Sequence, residues 1–289
     1  MKKIIYILTG IIGCAALLAG CTPRLNGTGV LGESTSATVT ESTAVTDTTS
    51  TTSPTAKAVA GSEDLSAEKV VWGPGRAENH AVPDEPKTLQ EKYASLGAKW
   101  LLEDEGKVLL TFDEGYENGF TPQILDTLKE KNVKAVFFVT YDFARDNGEL
   151  VQRMIDEGHI VGNHSYHHYS MDELDTETAK EEVTFLHEYI KENFNYEMKY
   201  FRFPKGEFSE KTLGILRELG YESIFWSFAY ADWDVNEQPE ATAAFTGICE
   251  HTHPGAILLL HAVSQTNADI LGKVIDDVRQ QGYAFAEKI

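Results

Sequence analysis

Cysteine is nearly missing from this chain: among 289 residues only Cys14, Cys21 and Cys249 occur, and the first two fall in one N-terminal apolar stretch. No disulfide framework can be drawn from so few, and Cys249, in the run FTGICEH, reads as a buried inert thiol. Positive charge is also scarce. Twenty-five Lys and Arg stand against 45 Asp and Glu, a formal charge of −20, which argues against electrostatic binding of nucleic acid or anionic lipid and leaves neutral glycans open. Long apolar runs are absent beyond the first 20 residues, so no later segment offers the ~20 residues a spanning helix needs. No Gly-x-Gly-x-x-Gly or phosphate loop follows any strand candidate, which weakens a nucleotide-binding reading.

What is present begins with Lys2, Lys3 and IIYILTGIIGCAALLAG, a basic then apolar layout typical of a secretory signal. Leu18-Ala19-Gly20-Cys21 resembles a bacterial lipobox, implying a signal peptide over 1–20, cleavage before Cys21 and lipid on its sulfur. The expected location is then the outer face of the cytoplasmic membrane, on the cell-wall side, with lipid as the only membrane contact. Without Lys2 and Lys3 the charge becomes −22. Residues 21–70 read as a disordered tether: from Ser34 to Thr55, 15 of 22 residues are Ser or Thr, too polar to offset the entropy of ordering. About 45 such residues give a root-mean-square reach of ~35–40 Å.

The remainder, 71–289, is ample for one core. Strand-like runs occur at 108–112, 134–140, 159–163, 199–203, 223–228, 256–261 and 283–287. Helical patterns lie between them: one opening at Thr121-Pro122 as an N-cap and first-turn proline, then LVQRMIDEG, MDELDTETAKEEVTFLHEYIKENF, SEKTLGILRELG, a weaker one over 238–250, and NADILGKVIDDVRQQG. Strands alternating with helices predict a parallel α/β domain, either doubly wound or a barrel, with sites at the carboxyl ends of the strands.

Reactive residues gather at those ends. The first run, VLLTFDEG, delivers Asp113 and Glu114; the third is followed by NHSYHH with His164, His167 and His168; the fourth ends at Arg202; the fifth leads to Asp232 and Trp233; the sixth ends at His261. His164 and His168 are four apart, so a helical turn would put both rings on one side, with His167 facing elsewhere. Two histidines with a carboxylate from the first strand leave coordination positions open, the build of a catalytic metal site. His159 and His253 read as structural, His80 and His187 as surface residues.

TFDEG, His164-Ser-x-x-His168, Arg202-x-Pro204, Asp232-Trp233 and LLLH ending at His261 resemble the five ordered motifs of the polysaccharide deacetylases, carbohydrate esterase family 4 with the NodB homology domain. TFDEGYENGFTPQILDTLK, EGHIVGNHSYHH, WSFAYADW and HPGAILLLHAVSQTNA are similar to its δ-lactam-biosynthesis branch, which acts on muramic residues of peptidoglycan in spore cortex formation. The resemblance implies a distorted (β/α) barrel of about seven parallel strands and hydrolysis of N-acetyl groups from amino sugars of a peptidoglycan glycan strand. It also implies roles: Asp113 as base, Arg202 holding it ionised, the Lys205 backbone N–H as oxyanion donor, His261 as general acid paired with Asp232, and a divalent metal, zinc, held by Glu114, His164 and His168. Two departures stand out. The metal carboxylate is usually Asp (Asn in some members of the branch), and the first Asp of Asp-x-x-Asp-Trp is Ala229 here.

Other readings use the same residues. Two carboxylates in an α/β barrel could serve a glycosidase, but adjacent residues are an awkward source for a pair ~5–10 Å apart, and the histidines would be idle. A non-catalytic glycan-binding lipoprotein on the same fold is supported only by Glu114. N-acetylglucosamine in peptidoglycan is the alternative substrate. For a muramyl carboxylate, Lys205 or Arg202 is the local basic group.

Overall fold

The computed structural model describes residues 61–73 and 75–289. The signal peptide, Cys21 and most of the tether lie outside the described residues. Among the described residues no helix is long and apolar enough to cross a membrane.

Among the described residues ten strands are formed: β1 (Val70–Val71), β2 (Ala98–Lys99), β3 (Lys107–Glu114), β4 (Val136–Val139), β5 (Ile160–Asn163), β6 (Tyr200–Phe201), β7 (Glu207–Phe208), β8 (Glu222–Ile224), β9 (Ile257–His261) and β10 (Ala284–Phe285). Eight helices accompany them: α1 (Asp84–Tyr93), α2 (Thr121–Glu130), α3 (Tyr141–Asp146), α4 (Gly148–Asp156), α5 (Thr176–Phe194), α6 (Glu210–Glu218), α7 (Ala241–His251) and α8 (Gln265–Gln280). All seven expected strands are present, and each pairs in parallel.

The main sheet runs β10–β3–β4–β5–β6–β8–β2, with β9 also on β3. It curls, because the chain just after β8 bridges back to β9: Phe228 pairs with Leu258, Ser227 N–H donates to Ile257 O at 2.9 Å, and Leu259 N–H donates to Phe228 O at 2.9 Å. That return settles the choice between the two architectures in favour of the distorted barrel. β3, β4 and β9 are buried on both faces and correspondingly rich in Val, Leu and Phe. Arg202 crosses the interior, so a charge occupies space that apolar side chains fill elsewhere.

Two local expectations change. Thr121 is the first residue of α2 and not its cap; Glu117 Oε1 accepts the N–H groups of Gly119 at 2.5 Å and Thr121 at 3.4 Å instead. The long helical pattern from Met171 breaks into a 3₁₀ turn, Met171–Glu173, and α5, whose Asp175 caps the Thr178 N–H. The folded part also starts before residue 71. Ser62 donates through its backbone and hydroxyl to Glu218 of α6 at 2.7 and 2.9 Å, and β1 pairs antiparallel with β7. Trp72 then docks on the barrel, its indole N–H donating to Trp226 O at 2.9 Å.

Candidate active site

β3 alternates as a strand must, with Thr111 and Asp113 on one face and Glu114 on the other. The inner face holds Arg202, wholly buried. Its guanidinium donates to Asp113 Oδ1 at 2.9 Å, Thr111 Oγ1 at 2.7 Å, Ile224 O at 3.0 Å and Phe225 O at 3.1 Å, and it lies 4.2 Å from the Phe138 ring centre. Burial pushes the Asp113 carboxyl up, but Arg202, His164 and His261 outweigh it and hold the group below its ordinary range. Asp113 is therefore a buried anion at neutral pH.

His261 ends β9, which lies against β3 so that Asp113 and His261 are directly paired in register. Neighbouring strands are about 4.8 Å apart and paired residues share a face, so the two side chains stand next to each other. The His261 Nδ1–H donates to Asp232 Oδ1 at 2.7 Å, and its backbone N–H donates to Oδ2 at 2.9 Å. Burial opposes the imidazolium, yet Asp232 and then Asp113 raise His261 above its ordinary value. Trp233 stands edge-on to it at 5.8 Å between ring centres and is 56% exposed, walling the open side.

The histidine pair converges, but not on a helix. His164 and His168 lie in the loop after β5, where Ser165 and His168 adopt φ of 70° and 62°. These two left-handed residues turn the chain so that the Nε2 atoms come to 3.2 Å. His164 Nδ1–H donates to Arg202 O at 2.9 Å, which leaves its Nε2 bare. Burial lowers both rings, His168 to about 3 with His164 adding to the effect, so both are neutral and ready to act as donors. His167 faces away as expected, its Nδ1 at 2.6 Å from the buried Glu182. Lys205 sits in the turn Pro204–Gly206 with φ 57°, and its charge reaches His168.

Glu114 is not brought to the histidines. Its carboxyl is wholly buried on the helix side of β3, with Oε2 3.5 Å from the Thr121 hydroxyl and Oε1 without a partner. Burial, then Glu117 and Asp113, push it well above the usual carboxylate range. The cause is local: β3 stays regular through Glu114, which pairs with Val139 and accepts the Thr140 N–H at 3.1 Å, so the pleat that turns Asp113 inward turns Glu114 outward. Among the described residues no three His, Cys, Asp or Glu side chains converge closely enough to hold a metal. Two neutral imidazole nitrogens fit a divalent ion, and the carboxylate beside them is Asp113, with Oδ2 3.5 Å from His164 Nε2.

Several residues with a part in this geometry escaped the sequence reading. Thr111 holds Arg202, and Asn267 donates to Asp232 Oδ2 at 2.6 Å. Thr111 carries the period-two signal that places it beside Asp113; Asn267 lies within the quoted run HPGAILLLHAVSQTNA, but nothing in its spacing points to Asp232. His159 and His253 are structural as expected, the first lowered to about 4 by burial, and Cys249 is buried, which pushes its thiol up to about 12. His187 is half-buried, 2.6 Å from the Tyr221 hydroxyl, and so is not a plain surface residue.

Residues 103–224 match the family described as Polysaccharide deacetylase. The peptidoglycan-N-acetylmuramic acid deacetylase PdaA of Bacillus subtilis is 41% identical over 228 residues, 78% of this chain and 87% of that protein. An uncharacterised 30.6 kDa protein of Geobacillus stearothermophilus is 44% identical over 78% of this chain and 85% of its own length. The solved structure of B. subtilis PdaA, described as a family 4 carbohydrate esterase, aligns at TM-score 0.73 and 40% identity over 76% of this chain and 95% of that one. A family 4 carbohydrate esterase from Bacillus anthracis aligns at TM-score 0.63 and 39% identity over 77% and 95%. With its five motifs in order on the curled parallel barrel, this chain belongs to the polysaccharide deacetylases, carbohydrate esterase family 4.

Proposed function

We propose that the protein removes N-acetyl groups from amino sugars of peptidoglycan, with N-acetylmuramic acid as the sugar, on the route to muramic δ-lactam in spore cortex. The observation that carries the chemistry is the registered pair Asp113 and His261 on adjacent parallel strands, the first held as an anion by Arg202 and the second with its protonated form favoured by Asp232. Amide hydrolysis needs such a pair: a base to take a proton from water, and an acid to give one to the departing amine. The support for the sugar is the relative's name and the high coverage of that relative.

In this reading Asp113 Oδ2, the oxygen not bonded to Arg202, accepts the proton of the attacking water. The Lys205 backbone N–H donates to the oxygen of the acetyl group as negative charge builds there. His261 protonates the amine through Nε2, since its Nδ1–H is committed to Asp232. Trp233 limits water on that side. A divalent ion, zinc, held by His164 and His168 would supply Lewis acidity toward water and the acetyl carbonyl. Arg202 is wholly buried and makes four hydrogen bonds inside the barrel, which leaves exposed Lys205 as the basic group for a muramyl carboxylate. Lipid attachment at Cys21 would place this activity in the wall above the membrane; the Leu18-Ala19-Gly20-Cys21 sequence supports it.

The test is incubation of residues 61–289 with peptide-free peptidoglycan glycan, with and without zinc, followed by mass analysis of the digested sugars. Loss of acetyl mass from muramic residues is the expected result, and a further loss of water would report lactam closure. Asp113→Asn and His261→Gln should each lower turnover by roughly 10²-fold or more. Acetyl loss from glucosamine instead would keep the chemistry and replace the substrate. Binding without any mass change would leave a glycan-binding protein. Lys205→Glu should weaken turnover of muramyl glycan without changing zinc affinity; unchanged turnover would remove Lys205 from recognition.

A further inference from the structure

Asp232 is held on more sides than a simple acid–histidine pair requires. It is wholly buried, and its carboxylate receives three N–H donors: His261 Nδ1–H at 2.7 Å on Oδ1, and the His261 backbone at 2.9 Å and Asn267 Nδ2 at 2.6 Å on Oδ2. Asn267 Nδ2 also donates to the His261 carbonyl at 3.1 Å, so one amide grips both members of the pair. Its Oδ1 accepts the Tyr230 hydroxyl. The opposite amide orientation would face oxygen toward a carboxylate and a carbonyl, so the surroundings fix which end points where.

Asn267 is itself anchored. It lies in the first turn of α8, where its backbone N–H donates to the Ser264 hydroxyl at 3.2 Å. Ser264 donates to Gln238 Oε1 at 2.5 Å, and Gln238 Nε2 donates to Asp232 O at 3.2 Å. The start of α8 and the loop carrying Asp232 are thus tied at two points. At 1% exposure Asn267 is out of a substrate's reach, and any effect it has on the reaction passes through Asp232.

We propose that Asn267, oriented by Tyr230, is a positioning residue that fixes Asp232 so that His261 presents Nε2 to the leaving amine. This rests on the reading of His261 as general acid. The charged and titratable groups facing His261 are Asp232 from the loop after β8, Asp113 from β3, Arg202 after β6, and His164 and His168 from the loop after β5. Only Asp232 bonds it directly, so freeing Asp232 is what changes its proton affinity.

Three variants separate a donor from a filler of space. Asn267→Ala removes the amide, Asn267→Asp keeps the volume but can donate to Asp232 only while protonated, and Tyr230→Phe removes one hydroxyl. Each is measured for kcat and KM on peptide-free glycan, and for the His261 titration by NMR with 15N-labelled histidine, which needs no substrate. Asn267→Ala is expected to lose kcat on the order of 10²-fold with KM within about twofold, the loss expected of a misplaced catalytic group. Its His261 midpoint should fall. Asn267→Asp should work best at low pH and lose activity as pH rises, at lower pH than the wild type. Tyr230→Phe should move kcat and midpoint in the direction of Asn267→Ala, by less, and it carries the test should the Asn267 variants fail to fold. Unchanged kcat and an unmoved midpoint in the folded variants would overturn the proposal. Wild-type turnover by His261→Gln would instead overturn the general-acid reading, while the NMR midpoints would still decide whether Asn267 governs His261.

Discussion

Asp113 and His261 each have a buried partner, Arg202 and Asp232, that leads the charges opposing the effect of burial, and the sign of each shift sets the pH profile. Asp113 is held below its ordinary value, so it is already ionised in weak acid. His261 is raised above 6.5, so its acid form is kept to higher pH than a free imidazole's and is lost as pH rises through the raised value. The alkaline limb of kcat/KM should therefore lie above 6.5. In Asp232→Asn the burial that opposes imidazolium loses its main counterweight, and the limb should move to lower pH with turnover down roughly 10²-fold. A limb that stays in place would show that His261 is not the group it reports. Arg202→Met leaves Asp113 buried without its cation, a change that should cost roughly 3–5 kcal/mol in denaturant unfolding. The residues proposed as acid and base, and their partners, were visible as candidates in the sequence because each sits at or just beyond the carboxyl end of an apolar run. Asn267 was not, because its role depends on a tertiary contact between the start of α8 and a loop 35 residues earlier.

β3 and the loop after β5 explain where motif reading and geometry part. A regular strand cannot aim two consecutive side chains at one site, and β3 remains regular through Glu114. Glu114 has a raised folded value against 4.5 for the free group, so the folded state holds the proton more tightly, and stability declines as pH climbs from about 4.5 toward that raised value. Glu114→Gln, which does not titrate, should stabilise by roughly 1–3 kcal/mol at pH 8, with little gain near pH 4, in thermal unfolding. It should keep zinc affinity by calorimetry, while His164→Ala and His168→Ala lose it; a tenfold weaker Glu114→Gln would return that carboxylate to the metal. The histidine spacing suggested a helix, but two positive φ angles do the same job in a loop, and spacing alone does not distinguish them. The seven expected strands were readable from their apolar runs, even where, as in β6 and β10, only two residues pair. β1, β2 and β7 were not, since two residues carry no period and none of the expected runs surrounds them. The Pro204–Gly206 turn is fixed by contact as well as conformation: Gly206 has φ 69°, and a Cβ there would lie 2.6 Å from Trp72 O. Gly206→Ala should lower stability by roughly 1–3 kcal/mol.

The barrel is completed by segments far apart in the chain, and its lead-in is part of it. Trp72 is 5% exposed, hydrogen-bonded to Trp226 O and edge-on to Trp100 at 6.5 Å. Trp72→Ala should cost roughly 3–5 kcal/mol in unfolding free energy, a large share of the ~5–15 kcal/mol a domain has. A change under 1 kcal/mol would mean the lead-in is only draped over the surface. Composition placed the start of the folded part near residue 71, because Ser62-Glu63-Asp64 looks like more of the polar stretch before it; the Ser62–Glu218 contact cannot be seen in a local window.

The position of β3 between β4 and β9 has a consequence for how the chain reaches its fold. Thr111 meets Val136 on one edge and Leu259 on the other, so one neighbour is available early and the other only after nearly 150 more residues. A ribosome adding ~5–20 residues per second leaves that interval open for roughly 7–30 s. Throughout it a buried strand at the centre of the sheet has a bare edge, a template for pairing with another chain. His261 and the strand that covers this edge arrive together, so the proposed catalytic pair is assembled in the same step that removes the edge.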